Sequence, residues 1–367
     1  MKTNPKTGTC LLAFAIVAGI FSLSATGLNA QVPADIAAQL RAIGNGVCVP
    51  ETAKIYKPLQ AKAPYPGVTV VRDISYGTDP RMIMDVFAPE KGGGNRPVLI
   101  FVSGGQGNKV EGPPDGDAFY DNIMLWALKN GMTGVNMQRR GGLNGGGLAW
   151  DEPAKDVGLV VAWVRANITK YKGNPNRIFL WSSSAGNGPV SKFASHPEIS
   201  GENGAAVKGI ILMSAPNFNI LPETGALPQG TPVTPPAAGL GTNCGRPPAQ
   251  PRGNGPTAAG GARGAPGAGG GRGGAAAAPV DAATQLARSN LPGLTKGKIA
   301  VFLGWGEIDP PNIINFDEAL KAAMCKAGRC PTSAFFKDHS HMSLVFSPNT
   351  ADTSVTGPIL KWMKSVK

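Results

Sequence analysis

The 367-residue chain predicts an α/β fold, a mainly parallel sheet with helices on both faces. Strand-like runs alternate with helical periodicities from Gly67 to the C-terminus, the signature of strands joined by helical crossovers. Several runs are apolar throughout instead of alternating, as expected of strands covered on both sides. The stretch Arg177 to Phe193, RIFLWSSSAGNGPVSKF, passes from strand to helix through a crowd of small residues. A turn that abrupt packs the two elements almost backbone to backbone.

Residues 1–30 read as an export signal. Lys2 and Lys6 precede the apolar run Leu11 to Phe21, and small and polar residues continue to Ala30. The run is short for a bilayer span. Cleavage after Ala30 would leave an exported chain, periplasmic or secreted, with no stable membrane anchor. Residues 31–66 form a lead-in with a short helix from Pro33 to Ile43 and then a proline-punctuated segment.

The domain expected to carry the chemistry runs from 67 to 367. Val68–Val71 and Met82–Phe87, separated by the turn Gly77-Thr78-Asp79-Pro80, form a hairpin of edge strands. Pro97–Val102 is a buried strand ending in Ser103-Gly104-Gly105-Gln106-Gly107. A helix over Asp117–Lys129, a strand over Met132–Met137 and a helix over Asp151–Asn167 follow. After the strand Ile178–Trp181 and its helix come the strand Val207–Met213, the helix Ala282–Ala287 and the strand Ile299–Leu303. The helix Phe316–Lys326, the strand Ser333–Lys337 and the helix Pro358–Val366 complete eight strands. Residues 229–279, rich in Gly, Ala, Pro and Arg, have almost nothing to bury and are expected to be a disordered insertion on the ligand-binding edge of the sheet.

The formal net charge is +12, of which the leader contributes two positive charges and no acid, so 12 − 2 leaves +10 after cleavage. Lysines and arginines are spread along the chain and not clustered with aromatics, so no nucleic-acid partner is expected. After Cys10 is removed with the leader, Cys48, Cys244, Cys325 and Cys330 remain, an even number compatible with two disulfides in three possible pairings. Cys325 and Cys330 flank an Ala327-Gly328 turn and suit a local bridge, which leaves Cys48 for Cys244. No second close Cys or His pair has the spacing of a structural zinc site, so neither metal nor cofactor is expected.

Three serines compete for the apex of the strand-to-helix turn. Ser182 and Ser183 would place Leu180 and Trp181 at the crowded position two residues before the apex. Ser184 has Ser182 behind it and Gly186 ahead, an S-x-S-x-G version of the G-x-S-x-G elbow. Acyl transfer to such a serine needs a base, an acid to orient the base, and N–H donors for the oxyanion. The glycine loop after Val102 supplies donors at Gly105 or Gln106, to act with Ala185. No Lys-Ser/Thr follows that loop, which argues against a phosphate-binding loop. Asp309, with Glu307 in reserve, lies at the end of a late strand. His339 and His341 follow the last strand, and one of the two is the expected base.

These motifs resemble the α/β-hydrolase esterase and lipase superfamily, nearest to the branch related to hormone-sensitive lipase and to small exported carboxylesterases. Ser103-Gly104-Gly105-Gln106 stands for the H-G-G-G loop and Ser182 to Gly186 for the G-x-S-A-G elbow. Gly306 to Asp309 stands for the late G-x-x-D, and His339 to His341 for the final histidine motif. The resemblance implies a mostly parallel eight-stranded sheet and the triad Ser184, His341 and Asp309. It also implies a structural role for Asp156 and cleavage of carboxylic esters, with short- to medium-chain acyl or acetyl groups on a small molecule or a polymer. Ser103 in place of the loop histidine and Ser182 in place of the first elbow glycine depart from the pattern. A peptidase or an acyltransferase would use the same site, and a binding protein without catalysis is the reading from another class.

Overall fold

Eight strands form one sheet in the order β1-β2-β4-β3-β5-β6-β7-β8. They are β1 Val68–Ser75, β2 Ile83–Pro89, β3 Arg96–Val102, β4 Thr133–Met137, β5 Gly173–Ser183, β6 Gly209–Met213, β7 Ala300–Ile308 and β8 Thr332–Ser340. In this computed structural model the described residues are Met1, 31–110, 119–141, 147–201, 205–216, 237–241, 244 and 281–367. All of the leader expected at 1–30 except Met1, and nearly all of the insertion expected at 229–279, lie outside the described residues. Strand β2 runs antiparallel to both of its neighbours, and every later pair is parallel.

The apolar runs are explained by burial on both faces. Val98, Ile100 and Val102 of β3 join one core cluster while Leu99 and Phe101, alternating with them, join the other. The first cluster packs under α4 Glu152–Asn167, α5 Asn187–Ser195 and the later part of the chain. Short helices α6 Pro197–Ser200, α7 Ala282–Ala287 and α8 Leu291–Lys296 lie between α5 and β7 in the chain. Helix α9, Pro311–Lys326, also packs on this side through Ile314 and Leu320. The other face is covered by α1 Ala34–Ile43, α2 Val49–Tyr56, α3 Asp121–Lys129, α10 Ser343–Phe346 and α11 Thr356–Ser365.

Differences from the expected boundaries have local causes. Helix α9 opens five residues earlier than the expected Phe316, with Pro310 as its N-cap and Pro311 in its first turn. A proline there lacks only an N–H that the first turn leaves unbonded anyway. Likewise Val49–Tyr56, which falls in the segment read only as proline-punctuated, is a helix with Pro50 in its first turn. Strand β7 continues through Gly304 and Gly306 to Ile308. A Cβ on Gly304 would sit 2.7 Å from the Phe336 ring and 2.8 Å from Met213 Sδ, so glycine lets the neighbouring strands close on it.

Disulfides join Cys325 to Cys330 and Cys48 to Cys244, the pairing expected from the sequence. The second ties the segment between α1 and α2 to residue 244 across a separation of 196 residues. Arg41 on α1 also pairs with Glu307 and Asp338, at 2.8 and 2.6 Å, so the lead-in is fastened to the ends of β7 and β8.

Candidate active site

Because β3 and β5 to β8 are parallel, the residues that follow them gather at one rim of the sheet. The loop 103–107 follows β3, Ser184 follows β5, Ser214 follows β6, Asp309 follows β7 and His341 follows β8. Ser184 and His341 both line a cavity of about 450 Å³. Its other walls include Gly104, Gly105, Tyr120, Ile313 and Met342. A larger cavity of about 780 Å³, bordered by Lys208, Lys296 and Lys298, lies by the starts of β6 and β7 and contains none of the candidate residues.

Ser184 has φ = 51°, the left-handed conformation that L-residues rarely take. Ser184 opens a single helical turn, Ser184–Gly186, that leads into α5. Gly186 allows the close approach: a Cβ there would come within 2.4 Å of the Val102 carbonyl oxygen and 2.7 Å of that of Ser103. Gly104 meets the serine from the other side, where a Cβ would lie 2.6 Å from the Ser184 Cβ. The glycine loop and the elbow therefore interlock. Both positions tolerate only glycine.

The Ser182 hydroxyl is absorbed by a buried clamp. It donates to Asn187 Oδ1 at 2.7 Å, and Asn187 Nδ2 donates to the carbonyls of Ser184 and Met213 at 2.8 and 2.7 Å. The Met213 N–H closes the clamp on Asn187 Oδ1 at 3.0 Å. Ser103, the other departure, donates through Oγ to the Asn108 carbonyl at 2.6 Å and closes the glycine loop on itself. Two arginines grip the same loop from outside. Arg81 donates to the Gln106 carbonyl, and the buried Arg139, lowered to about 10 by burial, donates to that of Gly105.

Of the expected oxyanion donors, Gly105 lines the cavity and Ala185 is the second residue of the turn that Ser184 opens. Gln106 is exposed, lies outside the cavity wall and turns its carbonyl to Arg81, whereas Gly104 lines the cavity. The loop residues that face the cavity are thus Gly104 and Gly105.

His341 is buried, and its Nδ1 lies 2.7 Å from Asp309 Oδ1. With Nδ1 carrying the proton to the carboxylate, Nε2 is left with its lone pair, and this atom is buried without a hydrogen bond. The Ser184 hydroxyl and the ring thus share the cavity without being bonded to each other, a separation common before a substrate closes the site. Asp309 Oδ2 accepts from Ser214 Oγ at 2.5 Å and from the Gly306 N–H at 2.7 Å. Both carboxylate oxygens are thus engaged, Oδ1 once and Oδ2 twice, and the carboxylate is held in place.

The alternatives are engaged elsewhere. His339 is bracketed by Ser343 Oγ at 2.9 Å and Ser354 Oγ at 2.6 Å, and burial lowers its ring to about 4, so it is a neutral structural histidine. Glu307 accepts from Arg41 and from the Asp338 N–H. Asp156 is buried and accepts three bonds from the Arg140 side chain and one from its N–H, the structural part the resemblance implies. Among the described residues, the one group of Cys, His and acid side chains compact enough to hold a metal is Cys48, Glu51 and Cys244, and its two sulfurs form the disulfide.

Four contributing residues were missed from sequence. Ser214 and Asn187 act through partners distant in the chain, and no local motif marks them. Val47 and Val49 line the cavity from the lead-in, which sequence placed apart from the chemistry.

Residues 84–195, from β2 to the end of α5, match the BD-FAE family model. The human cocaine esterase is 33% identical over 137 residues, covering 34% of this chain and 23% of that protein. An isoprenylcysteine alpha-carbonyl methylesterase of Arabidopsis thaliana is 30% identical over 123 residues, 32% of this chain and 26% of the relative. The chain thus spans about a quarter of the length of these curated relatives. Esterase B of Lactobacillus rhamnosis, solved with a tributyrin phosphonate inhibitor, superposes with a TM-score of 0.54 at 13% identity, covering 90% of this chain and 95% of that one. The chain has the α/β-hydrolase fold. A thermophilic carboxylesterase from a metagenomic library shares that hydrolase fold at a TM-score of 0.54 and 14% identity, over 92% of this chain and 99% of its own.

Proposed function

We propose that this α/β-hydrolase cleaves carboxylic esters through an acyl-enzyme on Ser184. The observation that carries the reading is the His341–Asp309 pair, 2.7 Å apart, whose remaining ring nitrogen is unbonded in the cavity that Ser184 lines. The His341 Nε2 takes the Ser184 proton as Oγ attacks the ester carbonyl, and returns it to the leaving alcohol. The negatively charged carbonyl oxygen is held by the N–H groups of Ala185 and of the Gly104–Gly105 loop. Asp309 stabilises the imidazolium, and water activated by the same histidine releases the acid.

A cavity of about 450 Å³ walled by Val47, Val49, Ile313 and Met342 suits short- to medium-chain or acetyl esters, carried by a small molecule or presented by a polymer. The matched relatives named as esterases support ester over amide substrates. Export of the chain is part of the same reading, supported by the leader pattern and the two disulfides. Among the described residues no helix is long and apolar enough to cross a membrane.

The test is Ser184→Ala assayed on p-nitrophenyl acetate and butyrate. Turnover is expected to fall by about three orders of magnitude or more. Wild-type-like turnover in that variant would refute the reading.

A further inference from the structure

A second carboxyl lies behind the first. Asp317, two turns into α9, is fully buried. Its Oδ2 accepts the Ala215 N–H at 3.2 Å, and its Oδ1 is buried without a hydrogen bond. Ala215 directly follows Ser214, whose hydroxyl holds Asp309 Oδ2. Ser214 is held at φ = 49°, a left-handed conformation that survives only where the surroundings enforce it. Two bonds enforce it here: the Ser214 N–H donates to the Gly304 carbonyl at 2.8 Å, and the next amide donates to Asp317. A chain of contacts thus runs from Asp317 through Ala215 and Ser214 to Asp309 and His341.

We propose that Asp317 is a positioning residue of this site, a neutral carboxylic acid that holds the Ser214–Ala215 turn so that the Ser214 hydroxyl is delivered to Asp309. This rests on the ester-cleaving reading above. Asp309 must be ionised to hold the imidazolium, and a second anion cannot be accommodated beside it without a cation or water to compensate. The charged and titratable groups acting on Asp317 are Asp309 from the end of β7 and Glu318 from its own helix, with His341 beyond Asp309. Burial first, then Asp309, push its carboxyl well above the usual carboxylate range. A neutral acid still accepts the Ala215 N–H, more weakly than a carboxylate would, and it leaves the charge of Asp309 undiluted for His341.

Two variants and one spectrum test this. In the wild type labelled at aspartate Cγ, the carbon resonance lost in Asp317→Asn should still be at its protonated position at pH 7, a readout independent of turnover. Asp317→Asn keeps an acceptor for the Ala215 N–H and the neutral charge. It is expected to retain kcat within about threefold, with the acid limb of kcat against pH moved by less than about 0.3 pH unit. Asp317→Ala removes the acceptor and should lower kcat about tenfold at nearly constant KM, the Asn variant being the rescue. The proposal is overturned by an ionised Cγ resonance at pH 7, by an acid limb displaced about one pH unit or more in Asp317→Asn as when a buried like charge is removed, or by full kcat in Asp317→Ala. Failure of the ester reading shows separately, as a wild type with no esterase activity; the Cγ resonance then still decides whether Asp317 is neutral.

Discussion

Ser182 shows how one buried hydroxyl can replace a glycine at a crowded turn. The added atoms point away from the cavity into the Asn187 clamp, where the hydroxyl also approaches the Ile211 carbonyl at 3.1 Å. Restoring the ordinary elbow with Ser182→Gly should therefore cost about 1 kcal/mol of stability, through a lost buried hydrogen bond and a freer chain. It should leave kcat within about threefold. Asn187→Ala takes a partner from four buried groups at once and leaves the Ser182 hydroxyl only the Ile211 carbonyl, so a loss of about 3 kcal/mol or more and a parallel fall in kcat are expected in thermal melts and assays. An Asn187→Ala protein with wild-type melting would contradict the clamp. The apex serine was legible from sequence because the crowding rule depends on residues two away. The clamp was not, because Ser182 closes it on Ile211 and Asn187 on Met213, partners brought alongside only when β5 and β6 pair.

At the scale of elements, the lead-in is part of the cavity wall. Val47 and Val49 flank Cys48, and the disulfide to Cys244 fixes that wall while Arg41 anchors α1 on the ends of β7 and β8. A bridge spanning so many residues should contribute several kcal/mol, up to about 5 in the chain-entropy account. Cys48→Ser is accordingly expected to lower the melting temperature and to raise KM for p-nitrophenyl butyrate severalfold, with kcat changed far less, because the wall loosens while the reacting groups stay on the sheet. An unchanged KM would show that the lead-in does not shape the binding space. The sheet itself was legible: each of the eight expected strands is present, the central parallel ones because full burial writes itself as continuous apolar runs and the β1–β2 pair because a Gly-Thr-Asp-Pro turn separates its two runs. Boundaries near prolines were not, because Pro50 and Pro311 read equally well as breaks and as first-turn residues.

For the molecule as a whole, the charge state of buried groups sets how stability varies with pH. His339 stays neutral down to about 4, whereas an unfolded histidine takes up a proton near 6.5. The unfolded chain then binds more protons, so this contribution is present above about pH 6.5 and is lost as pH falls toward 4, on the order of 3 kcal/mol in all. Asp317 works with the opposite sign: its raised carboxyl favours the folded state at low pH, and that advantage is lost as pH rises. The two overlap in the wild type, so the comparison that isolates His339 is His339→Gln against wild type in denaturant melts from pH 7 to pH 4. The variant should lose less stability on acidification, and an identical slope would contradict the neutral buried ring. The strand order brings three side chains from across the chain to one rim, and the most direct test of what they do is covalent. Incubation with a fluorophosphonate, followed by peptide mass spectrometry, should give a single adduct on Ser184 that is absent in Ser184→Ala and strongly slowed in His341→Ala. No adduct between about pH 6 and pH 9, or an adduct on a different residue, would contradict nucleophilic catalysis at this site.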